Sequence, residues 1–231
     1  MSQKTLIIIP AYNEQDSIAS IVNDLKALET ELTILVIDDG SSDNTAQIAR
    51  QAGAEVIILP VNLGIGGAVQ TGYKFALEHD YDVAVQVDGD GQHDVSYLNV
   101  LLEPIAREEA DMTIGSRFVP PHLGYQSSFI RRIGINFFAG LIGLLTDYRV
   151  KDSTSGFRAV NRKLIKVFSE YYPQDYPEPE AIVVAGRVNS KIIEVPVQMR
   201  PRAAGNSSIR YLRTLYYMIK VTFAIIIEKF K

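Results

Sequence analysis

Two aspartates, Asp88 and Asp90, directly follow an apolar run with one glycine between them. Two carboxylates at this spacing can converge on a hard divalent cation, and all-oxygen ligation suits Mg²⁺ or Mn²⁺. Gln92 and His93 follow closely and are candidates to complete or orient such a site. Because Asp and Gly also dominate turns, the motif taken alone is more often a simple turn.

Two further polar groups follow earlier apolar runs. The segment Pro10–Glu14 comes after the first run, and Asp38 and Asp39 end the second. In an open α/β sheet, ligands bind beyond the carboxyl ends of the strands, so all these groups are expected at one edge. Repulsion among Asp38, Asp39, Asp88 and Asp90 favours a bound cation if the four carboxylates converge.

Alternating strand and helix patterns predict the elements that must position these groups. In the first half, short apolar runs separated by helical periodicity indicate βαβ units and a mainly parallel α/β sheet. The second half is less regular, with an apolar stretch at 133–145, a strand at 191–197 and a long helix at 209–230. The predicted strands of the first half are Thr5–Ile9, Thr33–Ile37, Glu55–Leu59, Val83–Val87 and Met112–Ile114, and the predicted helices are Ile18–Leu28, Thr45–Ala52, Ala68–Leu77 and Leu98–Ile105.

The glycine-rich segment Asn62–Gly67 has the composition of a phosphate-cradling loop. It follows the third predicted strand and lacks the Gly-x-Gly-x-x-Gly spacing, whereas a dinucleotide-binding loop follows the first strand. A Rossmann dehydrogenase is therefore discounted, and a nucleotidylyltransferase is disfavoured because its glycine-rich loop also follows strand one. We interpret these glycines as a helix start packed closely on the sheet.

Charge is distributed unevenly along the 231 residues, although the net charge is only −4. Residues 1–112 hold 5 basic and 19 acidic residues, residues 113–170 hold 9 and 3, and residues 197–231 hold 7 and 1. Two basic segments indicate either an anionic partner or solvated surface charge. The absence of Cys excludes disulfides, zinc–thiolate sites, iron–sulfur clusters and a cysteine nucleophile.

Several motifs, in order, resemble the inverting glycosyltransferases of family two, which have the GT-A fold. The resemblance is closest to the branch that transfers sugars to dolichyl or polyprenyl phosphate, and it covers nearly the whole chain. The motifs are Pro10–Glu14, Asp38–Asp43, Asn62–Gly64, Asp88–His93, Gly115–Phe118 and Ser155–Arg158, followed by Glu194–Val197, Met199-Arg200 and Gly205–Ile209.

The resemblance implies a role for individual residues. Asp88, Asp90 and Gln92 are expected to hold the metal against the sugar diphosphate. Arg117, Arg131 and Arg200 are similar to basic residues that face the acceptor phosphate or the diphosphate, and Asp90, Arg117 and Arg131 are the candidate catalytic residues. Many relatives have Ser-Lys where this chain has Ser207-Ser208, so Arg202 is a candidate to replace that lysine. The expected nucleotide-site residues are Pro10, Tyr12, Glu14, Asp39 (toward the base), Asp88, Arg200 and Arg202.

The acceptor decides whether a general base is needed. A sugar hydroxyl must lose a proton, whereas a lipid phosphate is already anionic and needs positioning and cationic neighbours. Relatives that act on hydroxyls often carry a Glu-Asp pair before the last strand, and this chain has Pro177–Ala181 without one, which favours a phosphate acceptor. Glu180 is the candidate base if the acceptor is a saccharide hydroxyl. A non-catalytic nucleotide-sugar-binding protein is a third alternative, and UDP-sugars are favoured over GDP-mannose.

The C-terminal half carries the expectations about membranes and partners. We expect a catalytic domain at 1–208 and an amphipathic helix at 209–231. The stretch 133–145 and the last helix are expected in the membrane interface, with ordinary core or a dimer contact as the alternative. No segment reaches the ~20 apolar residues of a transmembrane helix, and the N-terminus has no signal-peptide pattern. The chain is therefore expected to be a cytoplasmic enzyme, peripheral on the inner face of the plasma membrane. Expected partners are a small membrane-anchoring protein and a second copy of the chain, and not nucleic acid.

Overall fold

The structure is a computed structural model that describes residues 3–28, 31–120, 129–146, 148–175, 177–200 and 220–227. In the helix 129–145, the side chains of residues 129–133, 135 and 145 are not described. The Arg131 side chain, Arg202 and residues 209–219 and 228–231 of the predicted C-terminal segment therefore lie outside the described residues.

Within the described residues, seven strands form one sheet. They are β1 (Thr5–Ala11), β2 (Leu32–Asp38), β3 (Glu55–Ile58), β4 (Val83–Gln86), β5 (Met112–Ser116), β6 (Arg158–Asn161) and β7 (Ile192–Pro196). Their order is β3-β2-β1-β4-β6-β5-β7. Strand β6 is antiparallel to its neighbours β4 and β5, and all other pairs are parallel. The predicted mainly parallel α/β sheet is confirmed.

Helices cover both faces of this sheet. Along β1, Leu6 and Ile8 face one layer while Ile7 and Ile9 face the other, and all four are fully buried. A strand covered on both faces requires a continuous apolar run, which the sequence supplies here. The helices are α1 (Ile18–Lys26), α2 (Thr45–Ala52), α3 (Gly64–Glu78), α4 (Leu98–Ala106), α5 (Phe129–Leu145), α6 (Arg162–Glu170) and α7 (Pro177–Arg187), with a 3₁₀ turn at Val95–Tyr97 and a helical segment at 220–227. Helices α1, α2 and α4 pack on one face, and α3, α5, α6, α7 and 220–227 pack on the other.

The second half contains three elements that the sequence patterns did not predict, namely β6, α6 and α7. The helix predicted at Ala68–Leu77 also begins earlier, at Gly64, because the glycines form its first turn. Gly66 lies so close to the backbone of Pro173 and Gln174 that a Cβ on it would be 2.1 Å from the Pro173 carbonyl oxygen. The glycines therefore do pack a helix start closely, but the close approach at Gly66 is to the segment after α6 and not to the sheet.

Strand register sets the height of the loops at the carboxyl edge. Gln86 of β4 pairs with Arg158 of β6, which pairs on its other side with Ile114 of β5. Asp88 follows Gln86 by two residues, and Ser116 follows Ile114 by two residues. Asp88, in the loop after β4, therefore lies level with Ser116 at the end of β5, and the two segments run side by side. They are two strand spacings apart, about 10 Å, with β6 between them.

Candidate active site

The carboxyl ends of β1, β2 and β4 open on a cavity of about 210 Å³. Six of the predicted site residues line it together, and Tyr12 among them is half exposed. The structure therefore brings the Pro10–Glu14 loop, the second-strand aspartate and the Asp-x-Asp pair to one place. The lining consists of Pro10, Ala11, Tyr12, Glu14, Asp39, Ile65, Ala68, Asp88, Gly89 and Asp90.

Asp38, which ends β2, and Asp39, which follows it, have different roles. Asp39 is buried and accepts hydrogen bonds from the backbone N–H groups of Leu63 (2.7 Å) and Gly64 (2.9 Å), so it fixes the start of α3. Burial raises the pKa of Asp39, although these two N–H groups act in the opposite direction. Asp38 instead accepts from the N–H of Ser41 at 2.7 Å and closes a turn. Asp39, Asp88 and Asp90 line the cavity, whereas Asp38 does not.

His93 and Gln86 hold Asp88 in place through three contacts. Its backbone N–H donates to Nδ1 of His93 at 3.0 Å, so the proton of a neutral imidazole is on Nε2, which lies 3.5 Å from Oδ2 of Asp88. The side-chain amide of Gln86 donates to Oδ1 at 3.1 Å. His93 is itself buried and stacks on Phe157, with ring centroids 5.0 Å apart. These contacts orient the carboxylate in the way that partners of metal ligands do.

Asp90 and Gln92 are linked through the backbone, since Oδ1 of Asp90 accepts from the N–H of Gln92 at 3.0 Å. In the described part of the chain, no group of three or more His, Asp or Glu side chains is close enough to hold a metal ion by itself. Asp88 and Asp90, both partly exposed to the cavity, instead fit a cation that is bound by two carboxylates plus substrate phosphates, which is the usual arrangement for Mg²⁺.

Two glycines allow the backbone to approach this site. A Cβ on Gly156 would lie 2.7 Å from each carboxylate oxygen of Asp88, and a Cβ on Gly89 would lie 2.9 Å from the carbonyl oxygen of Pro10. The Gly89 carbonyl also accepts from the hydroxyl of Ser17 at 2.6 Å. The β1, β4 and β6 ends are therefore packed together at van der Waals distance around Asp88.

A second cavity, of about 590 Å³, lies beside α5 and the loop that precedes β6. Its wall on the helix is made of small residues, and a Cβ on Gly140 would meet nothing within 4 Å. Two exposed cations, Arg149 and Lys151, lie on its other side. The lining is Phe118, Asn136, Ala139, Gly140, Gly143, Arg149, Val150 and Lys151.

Arg117 and Arg200, which the resemblance assigns to the acceptor phosphate or the diphosphate, both pair with aspartates. The Arg117 guanidinium is buried and pairs with both carboxylate oxygens of Asp152, at 2.7 and 2.6 Å. It therefore braces the loop before β6. Arg200 is exposed and pairs with Asp24 (2.7 Å) and Asp94 (2.9 Å), while its backbone N–H donates to the carbonyl of Gln92. It is tied to the Asp88–His93 loop, but its guanidinium is engaged on the protein surface.

The sequence patterns assign no role to two residues near Asp88, although Ser155–Arg158 is among the motifs. Arg158 is fully buried and donates to the carbonyl oxygens of Ser155, Ser153 and Glu178, at 2.7, 3.0 and 2.6 Å. Burial raises the pKa of Glu178 to about 7, with the Asp88 charge adding to the shift and Arg158 opposing it. The sequence had pointed to Glu180 as the candidate base. The signal in the sequence is the Pro177–Glu180 segment, because proline followed by acidic residues is typical of a helix start.

A comparison with known proteins agrees with this fold and shows the family. The family model described as Glycosyl transferase family 2 matches residues 6–168, so the chain belongs to glycosyl transferase family 2. It is a glycosyltransferase, and its predicted resemblance to the polyprenyl-phosphate and dolichyl-phosphate branch is confirmed by the relatives.

Two curated relatives and one solved structure illustrate the similarity. The chain is 33% identical to the UDP-N-acetylglucosamine–dolichyl-phosphate N-acetylglucosaminyltransferase of Methanococcus voltae, over 83% of this chain and 84% of that protein. It is 30% identical to the undecaprenyl-phosphate mannosyltransferase of Micrococcus luteus, over 89% and 87%. Glucosyl-3-phosphoglycerate synthase of Mycobacterium tuberculosis, solved with Mn²⁺, uridine diphosphate and phosphoglyceric acid, has a TM-score of 0.74 at 20% identity, covering 99% of this chain and 78% of that one. That structural similarity shows the fold.

Across the described residues, no helix has the length and apolar character needed to span a bilayer.

Proposed function

We propose that this protein transfers a hexose or N-acetylhexosamine from a nucleotide sugar, with UDP-sugars favoured, to polyprenyl phosphate. The observation that carries the proposal is the contrast in lining between the two cavities. The smaller cavity is lined by Asp39, Asp88 and Asp90, and the larger one combines an open, small-residue wall with Arg149 and Lys151. An acidic site suits a cation-bound diphosphate, and a basic, partly apolar site suits a lipid phosphate.

Relatives support the same assignment. The Methanococcus voltae relative is named for a UDP-sugar donor and a dolichyl-phosphate acceptor, and the Micrococcus luteus relative is named for an undecaprenyl-phosphate acceptor. The Mycobacterium tuberculosis synthase has been crystallised with uridine diphosphate and Mn²⁺, and also with Mg²⁺. A divalent cation at Asp88 and Asp90 is therefore part of the proposal.

The chemistry requires little from the protein beyond placement. A phosphate acceptor attacks the anomeric carbon without losing a proton, so the residues near it need to position and neutralise it. Arg149 and Lys151 are placed to do this from the larger cavity. Asp88 and Asp90 would hold a cation, which when bound offsets the charge that develops on the departing nucleoside diphosphate. Direct displacement by the acceptor inverts the configuration at the anomeric carbon.

The test is incubation of the purified chain with a panel of UDP- and GDP-sugars, polyprenyl phosphate and Mn²⁺, followed by mass analysis of the lipid. We expect one lipid-linked phosphosugar. Lys151→Ala or Arg149→Ala should raise the KM for polyprenyl phosphate roughly tenfold or more, because each removes one charge-assisted contact. Lys166→Ala, on the exposed face of α6, is the matched control. Unchanged KM values in both cavity variants would place the acceptor elsewhere.

One observation favours a second candidate, transfer to a saccharide hydroxyl. Glu178 lies near Asp88 and Arg158, and its raised pKa of about 7 suits a general base at neutral pH. The two candidates differ in how they respond to Glu178→Gln. Loss of a base should lower kcat on a hydroxyl acceptor about 100-fold or more, whereas transfer to polyprenyl phosphate should change by a few-fold at most.

The membrane expectation is retained as part of the proposal. Phe137 and Leu144 of α5 and Phe223 and Ile227 of the last helical segment are exposed, and Leu144 is 82% exposed. Exposed apolar side chains, together with the exposed cations Arg149 and Lys151, suit the interface of an anionic membrane, on the cytoplasmic face where nucleotide sugars are available. Leu144→Ser with Phe223→Ser should abolish flotation with anionic vesicles. Ile58→Ser, which changes an exposed apolar residue on β3, is the control and should still float with the vesicles. Loss of flotation in this control as well as in the double variant would count against the assignment.

A further inference from the structure

We propose that Glu194 is a positioning residue for sugar transfer, because it fixes the connecting loop, residues 149–156, between the two cavities. The proposal rests on the proposed function, since it takes the larger cavity as the acceptor site. Glu194 lies on the edge strand β7, beside Ile114 of β5. Glu194 itself lines neither cavity, so its effect must pass through the loop that it contacts.

The contact between Glu194 and the connecting loop uses both carboxylate oxygens. Oε2 accepts from the backbone N–H of Lys151 at 2.7 Å, and Oε1 accepts from the N–H of Asp152 at 2.8 Å. Hydrogen bonds to an ionised acceptor are shorter and stronger than neutral ones, and two successive N–H groups on one carboxylate fix direction as well as distance. The edge strand therefore holds the loop at its most basic point.

Two other elements hold the same loop. Arg117, just after β5, pairs with the Asp152 side chain and also donates to the Thr154 hydroxyl at 3.0 Å. Arg158 of β6 donates to the carbonyl oxygens of Ser153 and Ser155. Contacts from β5, β6 and β7 thus converge on one short segment, and together they leave the loop little freedom.

The position of the loop matters at both of its ends. At its start, Arg149 and Lys151 line the larger cavity. At its end, Gly156 lies so close to Asp88 that a Cβ on it would be 2.7 Å from the carboxylate oxygens. One rigid segment therefore sets the distance between the cations that face the acceptor and the carboxylate that faces the donor. An error of about 1 Å in such a distance can cost about 100-fold in rate.

Glu194→Gln tests this role with minimal change of shape. The amide of glutamine has one oxygen, which can accept from one of the two loop N–H groups. Its NH₂ group replaces the second carboxylate oxygen and, being a donor, cannot accept from the other N–H group. One of the two loop contacts is then lost while the strand and the side-chain volume are kept. Glu170→Gln, on the exposed end of α6, is the matched control.

The experiment measures kcat, the KM for polyprenyl phosphate and the KM for the nucleotide sugar in the full chain, together with calorimetric binding of UDP with Mn²⁺. We expect kcat/KM for polyprenyl phosphate to fall about tenfold to 100-fold. Binding of UDP with Mn²⁺ should stay within about twofold, because Asp88 keeps its contacts with Gln86 and His93. The control should match the wild type in every quantity.

Two results would overturn the proposal. The first is an unchanged kcat/KM for polyprenyl phosphate in Glu194→Gln. The second is a loss of affinity for UDP with Mn²⁺ as large as the loss in kcat/KM, because a general loss of structure would produce that result. If Glu194→Gln does not fold, Glu194→Asp keeps both acceptor oxygens and the charge, and it must show the same acceptor-selective loss at smaller size. Failure of the proposed function is distinguishable, because the wild-type chain would then give no product with polyprenyl phosphate.

Discussion

Gly156 and Asp88 are in such close contact that no side chain fits between them. A Cβ at position 156 would lie 2.7 Å from both carboxylate oxygens and 3.0 Å from the carboxyl carbon of Asp88. Real Cβ atoms do not approach other atoms this closely, so either the carboxylate or the loop must move when a methyl group is added. The glycine in the segment Ser155–Arg158 thus packs against the proposed donor site, although it bears no functional group.

Gly156→Ala is therefore expected to displace the Asp88 carboxylate and weaken Mn²⁺-dependent binding of UDP by about tenfold or more, in the range found for residues that orient metal ligands. Calorimetric titration with UDP and Mn²⁺ measures this. Gly140→Ala adds a methyl group where nothing lies within 4 Å, and in a helix it should be neutral or stabilising by up to about 1 kcal/mol. Equal UDP binding in the two variants would show that the carboxylate position is unimportant.

His93 is expected to act through Asp88. His93→Phe keeps a ring that can stack on Phe157 but removes both contacts with Asp88, and Mn²⁺ affinity in the presence of UDP should fall about 10- to 100-fold. His93→Asn keeps an acceptor for the Asp88 N–H and should lose less. Mn²⁺ binding followed by electron paramagnetic resonance gives the affinity independently of turnover. Wild-type affinity in His93→Phe would contradict the role.

The buried pair of Arg117 and Asp152 should contribute to stability far more than an exposed pair. Arg117→Ala leaves the Asp152 charge buried without its partner and should lower the free energy of unfolding by about 3–5 kcal/mol. Arg107, which pairs with Glu103 on the exposed face of α4, is the matched control, and Arg107→Ala should cost less than about 1 kcal/mol. Urea denaturation measures both. Similar costs for the two variants would contradict a bracing role for Arg117.

Glu178 should make stability depend on pH. Its pKa is about 7 in the folded protein and near its ordinary value of 4.5 in the unfolded chain, so the folded state binds the proton more tightly. The stabilisation from this group is full below pH 4.5 and is lost as the pH rises through 7. Glu178→Gln, which stays neutral, should gain stability relative to the wild type across that interval, at up to about 1.4 kcal/mol per pH unit.

Urea unfolding at pH 4.5, 6 and 8 checks this prediction, with Glu170→Gln as a control for removing a carboxylate as such. A difference between Glu178→Gln and the wild type that does not vary with pH would mean that Glu178 is less enclosed than its position near Arg158 and Asp88 indicates.

Sequence patterns predicted the first half of the fold because its strands are apolar on both faces and its helices have clear periodicity. Strand β6 was missed because it is only four residues long and begins with Arg158, whose charge is buried against carbonyl oxygens. Helix α7 was missed because Pro177 and Pro179 resemble helix breakers, whereas proline is well tolerated in the first turn.

Part of the candidate site could also be predicted from the sequence. Loops at strand ends must share one edge of the sheet, so Asp39, Asp88 and Asp90 could be grouped from the sequence. The partner of Arg117 could not, because Asp152 is 35 residues away and no local pattern links the two. The same holds for Glu194 and the N–H groups of Lys151 and Asp152, which meet only when β7 is paired with β5.

The central claim is that an anionic lipid phosphate accepts the sugar. The most direct measurement offers the purified chain its preferred nucleotide sugar and Mn²⁺ with polyprenyl phosphate in one reaction and the matching unphosphorylated polyprenol in another, with Asp90→Asn as the inactive control. The account predicts an acid-labile, organic-extractable lipid phosphosugar with polyprenyl phosphate and no product with the alcohol. Glycosylation of the alcohol, or transfer only to an added saccharide hydroxyl, would contradict it.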